Sequence, residues 1–215
     1  MDKQEYWEGR YAAEGQIWGE TPSRSAQEAK IMFLFNNVKT MLVPGSGYGR
    51  NTKVFSAAGL EVTGVEISVT AFHIARRFDP QSNFYLGNVL NMSFDSVKYD
   101  AIYAYNVLHL FKQAERDLFI QRCIRKLNGE GLVYFTVFSE KEVDFGKGQE
   151  TEPNTFESKP GRPVHYFTED DLKNELKDFN ILETGMLDEP ENHGGTAHVH
   201  VLRYVFARLK PQDNQ

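Results

Sequence analysis

The fold of this chain is decided by residues 40–66, which read TMLVPGSGYGRNTKVFSAAGLEVTGVE. The apolar run Met41–Val43 predicts a buried strand, and it breaks into a turn with three alternating glycines. The segment after the glycines predicts a helix that stops at Gly59, and a second strand over 62–65 ends on the acid Glu66. Strand, glycine turn, helix, strand and acid make a βαβ unit of the kind that holds a nucleoside.

Each part of this unit has a physical reason. Gly45, Gly47 and Gly49 allow positive φ and let a ligand approach the backbone without meeting a Cβ. The helix beyond them is expected to point its unpaired N–H groups and positive dipole end towards that ligand. Glu66 is expected to accept both hydrogen bonds of a ribose diol, and its charge excludes the 2′-phosphate of an NADP-type ligand.

The glycine spacing separates two classes of nucleoside site. A dinucleotide fingerprint, G-x-G-x-x-G, would have its third glycine at the position of Arg50, whereas the sequence has G-x-G-x-G. This turn, together with Val-Thr-Gly-Val-Glu-Ile-Ser over 62–68, resembles the first motif of class I S-adenosylmethionine-dependent methyltransferases. The sequence of these two segments is most similar to the small-molecule branch of that family, which includes the thiopurine and tellurite-resistance methyltransferases. One position departs, since Val43 stands where that family usually has an acid.

The resemblance implies an α/β fold of the Rossmann-like class I methyltransferase type. Its sheet would have seven mostly parallel strands, with an antiparallel last strand and helices on both faces. It also implies S-adenosyl-L-methionine as the cofactor. The residues that it assigns to the cofactor are Trp18, Arg24, Gly45, Ser46, Gly47, Gly49, Glu66, Ile67, Asn88, Val89 and Asn106.

Three of these assignments have particular content. Arg24 would pair with the cofactor's carboxylate, and Trp18 would line the pocket beside Tyr11 or simply pack an N-terminal flap onto the domain. Asn88 stands where the family usually has an acid that holds the adenine amino group, and Val89 would offer the backbone N–H. The alternative for Asn88 is a turn-forming asparagine.

Composition limits the partners. The 215 residues predict a single domain over 1–215, and the net charge of −6 gives no reason to bind nucleic acid or an anionic membrane surface. Cys123 stands alone, so no disulfide framework or thiol metal site is expected. The polar N-terminus and the lack of a long apolar run predict a cytoplasmic protein. The expected partner is a small-molecule methyl acceptor, and the expected state is a monomer or homodimer.

The remaining elements follow from local signals. Residues 1–39 predict a flap, broken by glycines and a proline, and then a helix, and residues 139–167 predict a polar, structureless lid loop. The predicted helices cover 25–37, 68–77 with Ser68 as N-cap, 113–127 closed by Asn128-Gly129, and a segment capped by Thr168 with Asp171 at its third position. Further strands are predicted at 83–86, from 99, at 131–137, at 179–187 and at 198–208.

Methyl transfer from a sulfonium is an in-line displacement that depends mainly on alignment and on the exclusion of water. A general base is needed where the acceptor arrives protonated. His109, after the fourth strand, and His165 with Tyr166, at the end of the lid, are the catalytic candidates. The alternative for both histidines is packing or simple exposure.

A second histidine cluster lies near the C-terminus. His198 and His200 are two apart on a predicted strand and face the same side, which is ligand-like, with His193, Glu189 or Glu191 as a third ligand. The resembled family requires no metal there. We therefore interpret the cluster as polar positions on the solvent face of a strand, with contact to substrate at the end of the sheet as the alternative, and expect no metal.

The predicted function is methyl transfer from S-adenosylmethionine to a small acceptor, such as a thiol or a chalcogen species, the latter by analogy with the branch resembled. Two alternatives stay open. One is a protein or nucleic-acid methyltransferase, and the other is a module that binds S-adenosylmethionine without turnover.

Overall fold

A seven-stranded sheet forms the centre of the computed structural model, which describes residues 2–159, 161–193 and 196–211 except for the side chains of His193 and Thr196. Its strands are β1 (Thr40–Pro44), β2 (Glu61–Glu66), β3 (Asn83–Leu86), β4 (Tyr99–Tyr105), β5 (Leu127–Phe138), β9 (Phe179–His193) and β10 (Thr196–Leu209). They are ordered β3-β2-β1-β4-β5-β10-β9. β10 is antiparallel to both neighbours, and the other pairs are parallel. The chain order reverses between β1 and β4, which is where ligands bind in open parallel sheets.

Helices cover both faces of this sheet. They are α1 (Lys3–Glu14), α2 (Arg24–Phe35), α3 (Thr52–Ser56), α4 (Val69–Phe78), α5 (Gln113–Lys126) and α6 (Glu169–Glu175), with a 3-10 turn at Leu108–Leu110. One apolar core, with Phe119 and Phe135, lies beneath α5 and α6, and another, with Phe33 and Phe55, lies beneath α2 and α3. The predicted α/β sheet of seven mostly parallel strands, with an antiparallel last strand and helices on both faces, is confirmed. None of the described helices is long and apolar enough to cross a membrane.

Two predicted helix starts are confirmed, and one helix end is wrong. The Ser68 side chain accepts a hydrogen bond from the Ala71 N–H, and the Thr168 side chain caps α6. The glycine stop expected after α5 is absent, because Leu127 leaves the helix in an extended conformation and begins β5 at once. Leu127 pairs with Tyr99 of β4 and is buried, so the sheet ends this helix rather than a left-handed cap.

The segment 139–167 is not structureless, as the sequence suggested. It contains a second, antiparallel sheet of three strands, β6 (Gln149–Glu152), β7 (Thr155–Lys159) and β8 (Arg162–His165). These strands have four or five residues and are largely polar, so they lack the apolar alternation by which half-buried strands are recognised. Pro160 lies outside the described residues.

The N-terminal segment forms a helix, α1, through Gly9 instead of the irregular flap that its composition suggested. The Glu8 carboxylate accepts hydrogen bonds from the Ser68 hydroxyl (2.7 Å) and from the Thr70 N–H (3.1 Å) and hydroxyl (2.6 Å), which fastens α1 to the start of α4. At its other side, the Arg162 guanidinium of β8 lies 3.9 Å from the centre of the Tyr6 ring. Helix α1 and the small sheet therefore meet above the carboxyl ends of the central strands.

Candidate functional site

A cavity of about 390 Å³ lies at the carboxyl ends of the central strands, beneath α1 and β8. Its floor includes Gly45 after β1, Glu66 at the end of β2 and Asn106 after β4, and Trp7 of α1 and Arg162 of β8 line its cover. The size is ordinary for a small-molecule site. The position is the one that the strand order favours for a ligand.

The glycine turn holds its shape through the backbone. The N–H groups of Gly45 and Ser46 donate to the Val65 carbonyl (2.8 and 3.0 Å), and both Gly45 and Gly47 have positive φ (67° and 56°). A Cβ on Gly45 would lie 2.6 Å from Val107, and a Cβ on Gly47 would lie 2.9 Å from the Tyr11 hydroxyl. These residues must therefore be glycines for the loop after β4 and helix α1 to close on the turn.

Two expectations about this turn need correction. Gly49 does not line the cavity, and a Cβ there would meet Ala75 of α4 at 3.4 Å, so Gly49 serves the packing of α4. The helix after the turn, Thr52–Ser56, has five residues. So short a helix lends the cavity little of the dipole that the sequence suggested.

Glu66 is the acid of this cavity and is 4% exposed. Its Oε1 accepts the N–H groups of Ile67 (2.9 Å) and Ser68 (2.8 Å), and its Oε2 accepts the Gly47 N–H (2.9 Å). Burial raises the pKa of Glu66, although these backbone hydrogen bonds act in the opposite direction. A carboxylate has about four acceptor positions, and three are occupied, so one position remains, on Oε2. The sequence had suggested that Glu66 accepts two hydrogen bonds from a ribose.

Aromatic rings form one wall of the cavity. The Trp18 ring stacks on Tyr48, with centroids 6.2 Å apart and planes at 12°, and Trp7 and Tyr11 lie beside it. The Tyr48 hydroxyl donates to the Gly19 carbonyl (2.7 Å) and accepts the Trp18 N–H (3.1 Å). Trp18 therefore both lines the cavity and packs the N-terminal segment, so the two readings of the sequence are not exclusive.

The residues after β3 and β4 also reach the cavity. Asn88 is exposed, and its Oδ1 accepts the Leu90 N–H (2.8 Å), which is the turn-forming role considered as its alternative. Val89 and Ile67 line the cavity beside it. Asn106 has a left-handed backbone (φ 56°), and its Oδ1 accepts the Thr136 hydroxyl (3.0 Å).

Three residues chosen from the sequence lie elsewhere. Arg24 is exposed outside the cavity, where its Nη1 donates to the Asp188 carbonyl (3.2 Å). His165 faces a different cavity, its Nδ1 lies 2.8 Å from the Thr155 hydroxyl, and burial lowers its pKa to about 4. Tyr166 packs against Phe138 instead of lining the site, and burial raises its pKa to about 12. The geometry therefore gives these residues no place beside a ligand in the first cavity.

His109 does line the cavity, in a buried position. Its ring stacks on Phe138 with centroids 4.1 Å apart, and its Nδ1 accepts the Phe138 N–H (3.3 Å). Burial lowers the pKa of His109 to about 3, and the charges of His200 and His165 act in the same direction. The ring is therefore neutral at pH 7 with its proton on Nε2, so it offers a hydrogen-bond donor and not a base.

A buried ion pair at the cavity was not predicted from the sequence. The Arg50 Nη2 lies 2.9 Å from the Glu191 Oε1, and the two side chains are 9% and 4% exposed. The Tyr105 hydroxyl donates to the same oxygen (2.8 Å), and burial, with the Glu191 charge, raises the pKa of Tyr105. The only signals in the sequence that could have indicated these residues are their positions, since Arg50 follows the third glycine and Tyr105 precedes Asn106.

His200 also lines this cavity, which corrects its interpretation as a solvent-face residue. Its side chain is 17% exposed, and its ring stacks on Phe138 at 4.7 Å. His198 lies beside it, with the two Nε2 atoms 3.1 Å apart. The third histidine of the cluster, His193, has its side chain outside the described residues.

Comparisons with known proteins agree with this architecture. Residues 42–135, from β1 into β5, match a family model described as a methyltransferase domain. A comparison with curated proteins gave no match.

Three solved structures illustrate the likeness. A structure from work on the conversion of a disulfide bond into a thioacetal group during echinomycin biosynthesis has a TM-score of 0.74 at 15% identity, over 96% of this chain and 93% of that one. The 1,6-didemethyltoxoflavin-N1-methyltransferase of Burkholderia thailandensis has a TM-score of 0.71 at 20% identity, over 96% and 87%. The magnesium protoporphyrin IX methyltransferase of Synechocystis, solved with S-adenosylmethionine, has a TM-score of 0.68 at 15% identity, over 98% of both chains.

Identities this low establish the fold alone, and the methyltransferase domain model matches residues 42–135, which is less than half of the chain. The chain therefore has a class I methyltransferase fold, and the domain match within it indicates an enzyme.

Proposed function

We propose that this enzyme transfers the methyl group of S-adenosylmethionine to a small-molecule acceptor in the cavity beneath α1 and β8. The observation that carries the proposal is the cover itself. Helix α1 is fastened to α4 through Glu8 and to α5 through an ion pair between Lys3 and Glu115 (2.6 Å), and Arg162 of the small sheet lies against Tyr6. Such a cover suits a small acceptor better than a protein or nucleic-acid chain, which would need an open surface.

The cofactor end of the cavity is proposed to lie at the glycine turn. The Ser46 hydroxyl is buried and has no hydrogen-bond partner among the described residues, and Glu66 keeps one acceptor position on Oε2. An unsatisfied buried polar group is costly in a folded protein and fits a ligand that supplies its partner. Gly45, Gly47, Ile67, Val89 and Asn106 complete the proposed cradle. Trp18 would close it, and Asn88 would offer its amide at the rim.

When bound, the cofactor supplies a methyl group already activated on a sulfonium, so the residues of the chain have to align and desolvate. The aromatic wall around Trp18 excludes water from that space, and the faces of its rings attract a positive charge. His109 offers an Nε2–H donor to the acceptor, because its Nδ1 is occupied by the Phe138 N–H. His165 and Tyr166 have no part in this proposal.

The finer acceptor class, a thiol or chalcogen species, is proposed from the likeness of the glycine turn to the thiopurine and tellurite-resistance branch. Two solved structures with this fold are named for action on small molecules, a didemethyltoxoflavin and a magnesium protoporphyrin. The arrangement of the chain as one domain, with residues 1–39 and 139–167 contributing the cover, is part of the same proposal. A cytoplasmic location and a monomeric or homodimeric state stay predictions from the sequence.

Tryptophan fluorescence tests the proposed site directly. The chain has two tryptophans, and Trp7 and Trp18 both line the cavity. Titration with S-adenosylhomocysteine should change the emission saturably, and Trp18→Phe should remove a large part of the change. The absence of saturation in the folded protein would refute the cofactor site.

The acceptor is then sought with a panel of thiols, amines and halides, with S-adenosylhomocysteine formed as the readout. Product with a thiol supports the proposal in full, and product with another small acceptor corrects its finer part. Saturable cofactor binding without product from any member would favour a binding module and contradict the proposal.

A further inference from the structure

The hairpin of β9 and β10 places two histidines and an acid together at the cavity. His198 pairs with Glu191 across the two strands, and His200 lies two residues further along β10 on the same face. Directly opposite positions of an antiparallel pair bring their side chains close. The arrangement therefore follows from the register of the hairpin.

The distances within this set suit a metal ion. The His198 and His200 Nε2 atoms are 3.1 Å apart, and the His200 Nε2 is 3.7 Å from the Glu191 Oε2. Ligand atoms from all three residues lie within 4.8 Å of one another. A tetrahedral zinc ion with bonds of about 2.0–2.1 Å holds its ligand atoms about 3.3 Å apart. The Glu191 Oε2, 3.7 Å from the His200 Nε2, is close to that spacing.

Outer contacts orient two of the ligands. The Glu142 Oε2 lies 3.2 Å from the His200 Nδ1, and the Glu142 Oε1 accepts the Val201 N–H. A carboxylate on the Nδ1–H of a histidine leaves the Nε2 lone pair to a metal, the usual support of a zinc-bound histidine. Glu191 is also oriented by outer contacts. Its Oε1 accepts hydrogen bonds from Arg50 and Tyr105, and its Oε2 faces His200.

The local charge also favours a cation. The carboxylates of Glu142 and Glu191 lie 3.2 Å and 3.7 Å from the two ring nitrogens of His200, and they give the site a negative potential. Arg50 contributes a positive charge on the far oxygen of Glu191, and the two carboxylates outnumber it. A divalent ion beside the histidine rings would meet the same negative potential.

We propose that Glu191, His198 and His200 bind a divalent transition-metal ion of the zinc type, with a further coordination position open to the cavity. His200 and Glu191 both line that cavity, which gives a ligand access to the ion. Two histidines and one carboxylate with an open position are a common catalytic zinc set.

The role of the open position rests on the proposed function, whereas metal binding does not. A thiol acceptor bound there would release its S–H proton to solvent. Its sulfur would form the new bond to the methyl carbon while the cofactor's S–CH₃ bond breaks and leaves its electron pair on the cofactor sulfur. No side-chain base is then needed, which agrees with the neutral donor state of His109.

Cobalt(II) titration of the chelator-treated protein tests the site, because cobalt replaces zinc and gives visible absorption bands. We expect saturation at one ion per chain, displacement by zinc, and loss of the bands in His198→Ala and Glu191→Gln. Glu142→Gln should weaken binding about 10- to 100-fold, since it removes the outer partner of His200. The matched control is His73→Ala, an exposed histidine of α4, which should bind cobalt as the unaltered protein does.

His198 is half-buried near the hairpin tip. The His198→Ala variant is therefore expected to fold, and circular dichroism checks this. The absence of cobalt bands, or equal cobalt affinity in His198→Ala and the unaltered protein, would overturn the metal site. S-adenosylhomocysteine titration of the same variants separates the two proposals. If the variants lose cobalt binding but still bind S-adenosylhomocysteine, both the metal site and the proposed function are supported. If the variants lose cobalt binding and even the unaltered protein does not bind S-adenosylhomocysteine, the metal site is supported and the proposed function is refuted.

Discussion

Replacing Glu66 probes the cofactor end of the cavity, because its carboxylate is the buried charge at the glycine turn. Its Oε2 accepts the Gly47 N–H and keeps one acceptor position, so we expect one charge-assisted hydrogen bond to the cofactor. Such a bond contributes about 1.5–3 kcal/mol. At about 1.4 kcal/mol for each factor of ten, Glu66→Gln should raise the Kd of S-adenosylhomocysteine about 10- to 150-fold.

The glutamine variant is preferred to alanine because it preserves the fold better. A glutamine oxygen can still accept the N–H groups of Ile67 and Ser68, whereas its amide nitrogen would face the Gly47 N–H. One unsatisfied buried N–H costs about 1–3 kcal/mol. Glu66→Ala would remove all three contacts and confuse weak binding with partial unfolding.

The measurement is a fluorescence titration of Trp7 and Trp18, checked by calorimetry, with urea unfolding of each variant alongside. The matched control is Glu61→Gln, at the exposed opposite end of the same strand, which should leave the Kd unchanged. A folded Glu66→Gln protein that binds within twofold of the unaltered enzyme would refute this placement of the cofactor.

Three further changes test the packing around the site. Gly45→Ala should destabilise more than Gly59→Ala in urea unfolding, since both have positive φ, but a Cβ on Gly45 would lie 2.6 Å from Val107 and one on Gly59 meets nothing within 4 Å; equal losses would argue against that clash. Gly9 is exposed in α1, so Gly9→Ala should stabilise this helix by about 0.5–1 kcal/mol and slow its amide exchange. Unchanged exchange would mean that the contacts of α1 with the rest of the protein, and not its helix propensity, set the exchange rate. His109→Gln should flatten the acid side of the stability curve. Because burial lowers the pKa of His109 from 6.5 to about 3, the unfolded chain takes up the proton first as pH falls, and stability is lost between those values. The loss is about 2 kcal/mol by pH 5, and an equal acid slope in the variant would assign it to other groups.

Much of the fold could be predicted from the sequence because its signals are local. The apolar run before Gly45, the positive-φ glycines and the acid closing the second strand lie within residues 40–66, and the strands formed where they were expected. Ser68 and Thr168 cap their helices through contacts three residues away. Such short-range rules act before any distant partner is chosen.

The cover of the site was not predictable in the same way. Helix α1 is held by Glu8 on residues some sixty positions away, and β6–β8 are too short and too polar to show a period. The sequence predicted that three residues lie at the site because of their positions along the chain, namely Arg24, His165 and Tyr166. The fold turned them elsewhere because Arg24 binds the β9 backbone and the two others serve the small sheet.

By itself, the sequence determined a mostly parallel α/β sheet with a glycine turn after its first strand, because period, glycine conformation and capping are properties of neighbouring residues. Only the tertiary structure decided what stands opposite that turn. It brought Arg50, Tyr105, Glu191 and His200 to one cavity, from residues up to about 150 positions apart. Hairpin register and strand order set such distances, and neither is written in any single stretch of the chain.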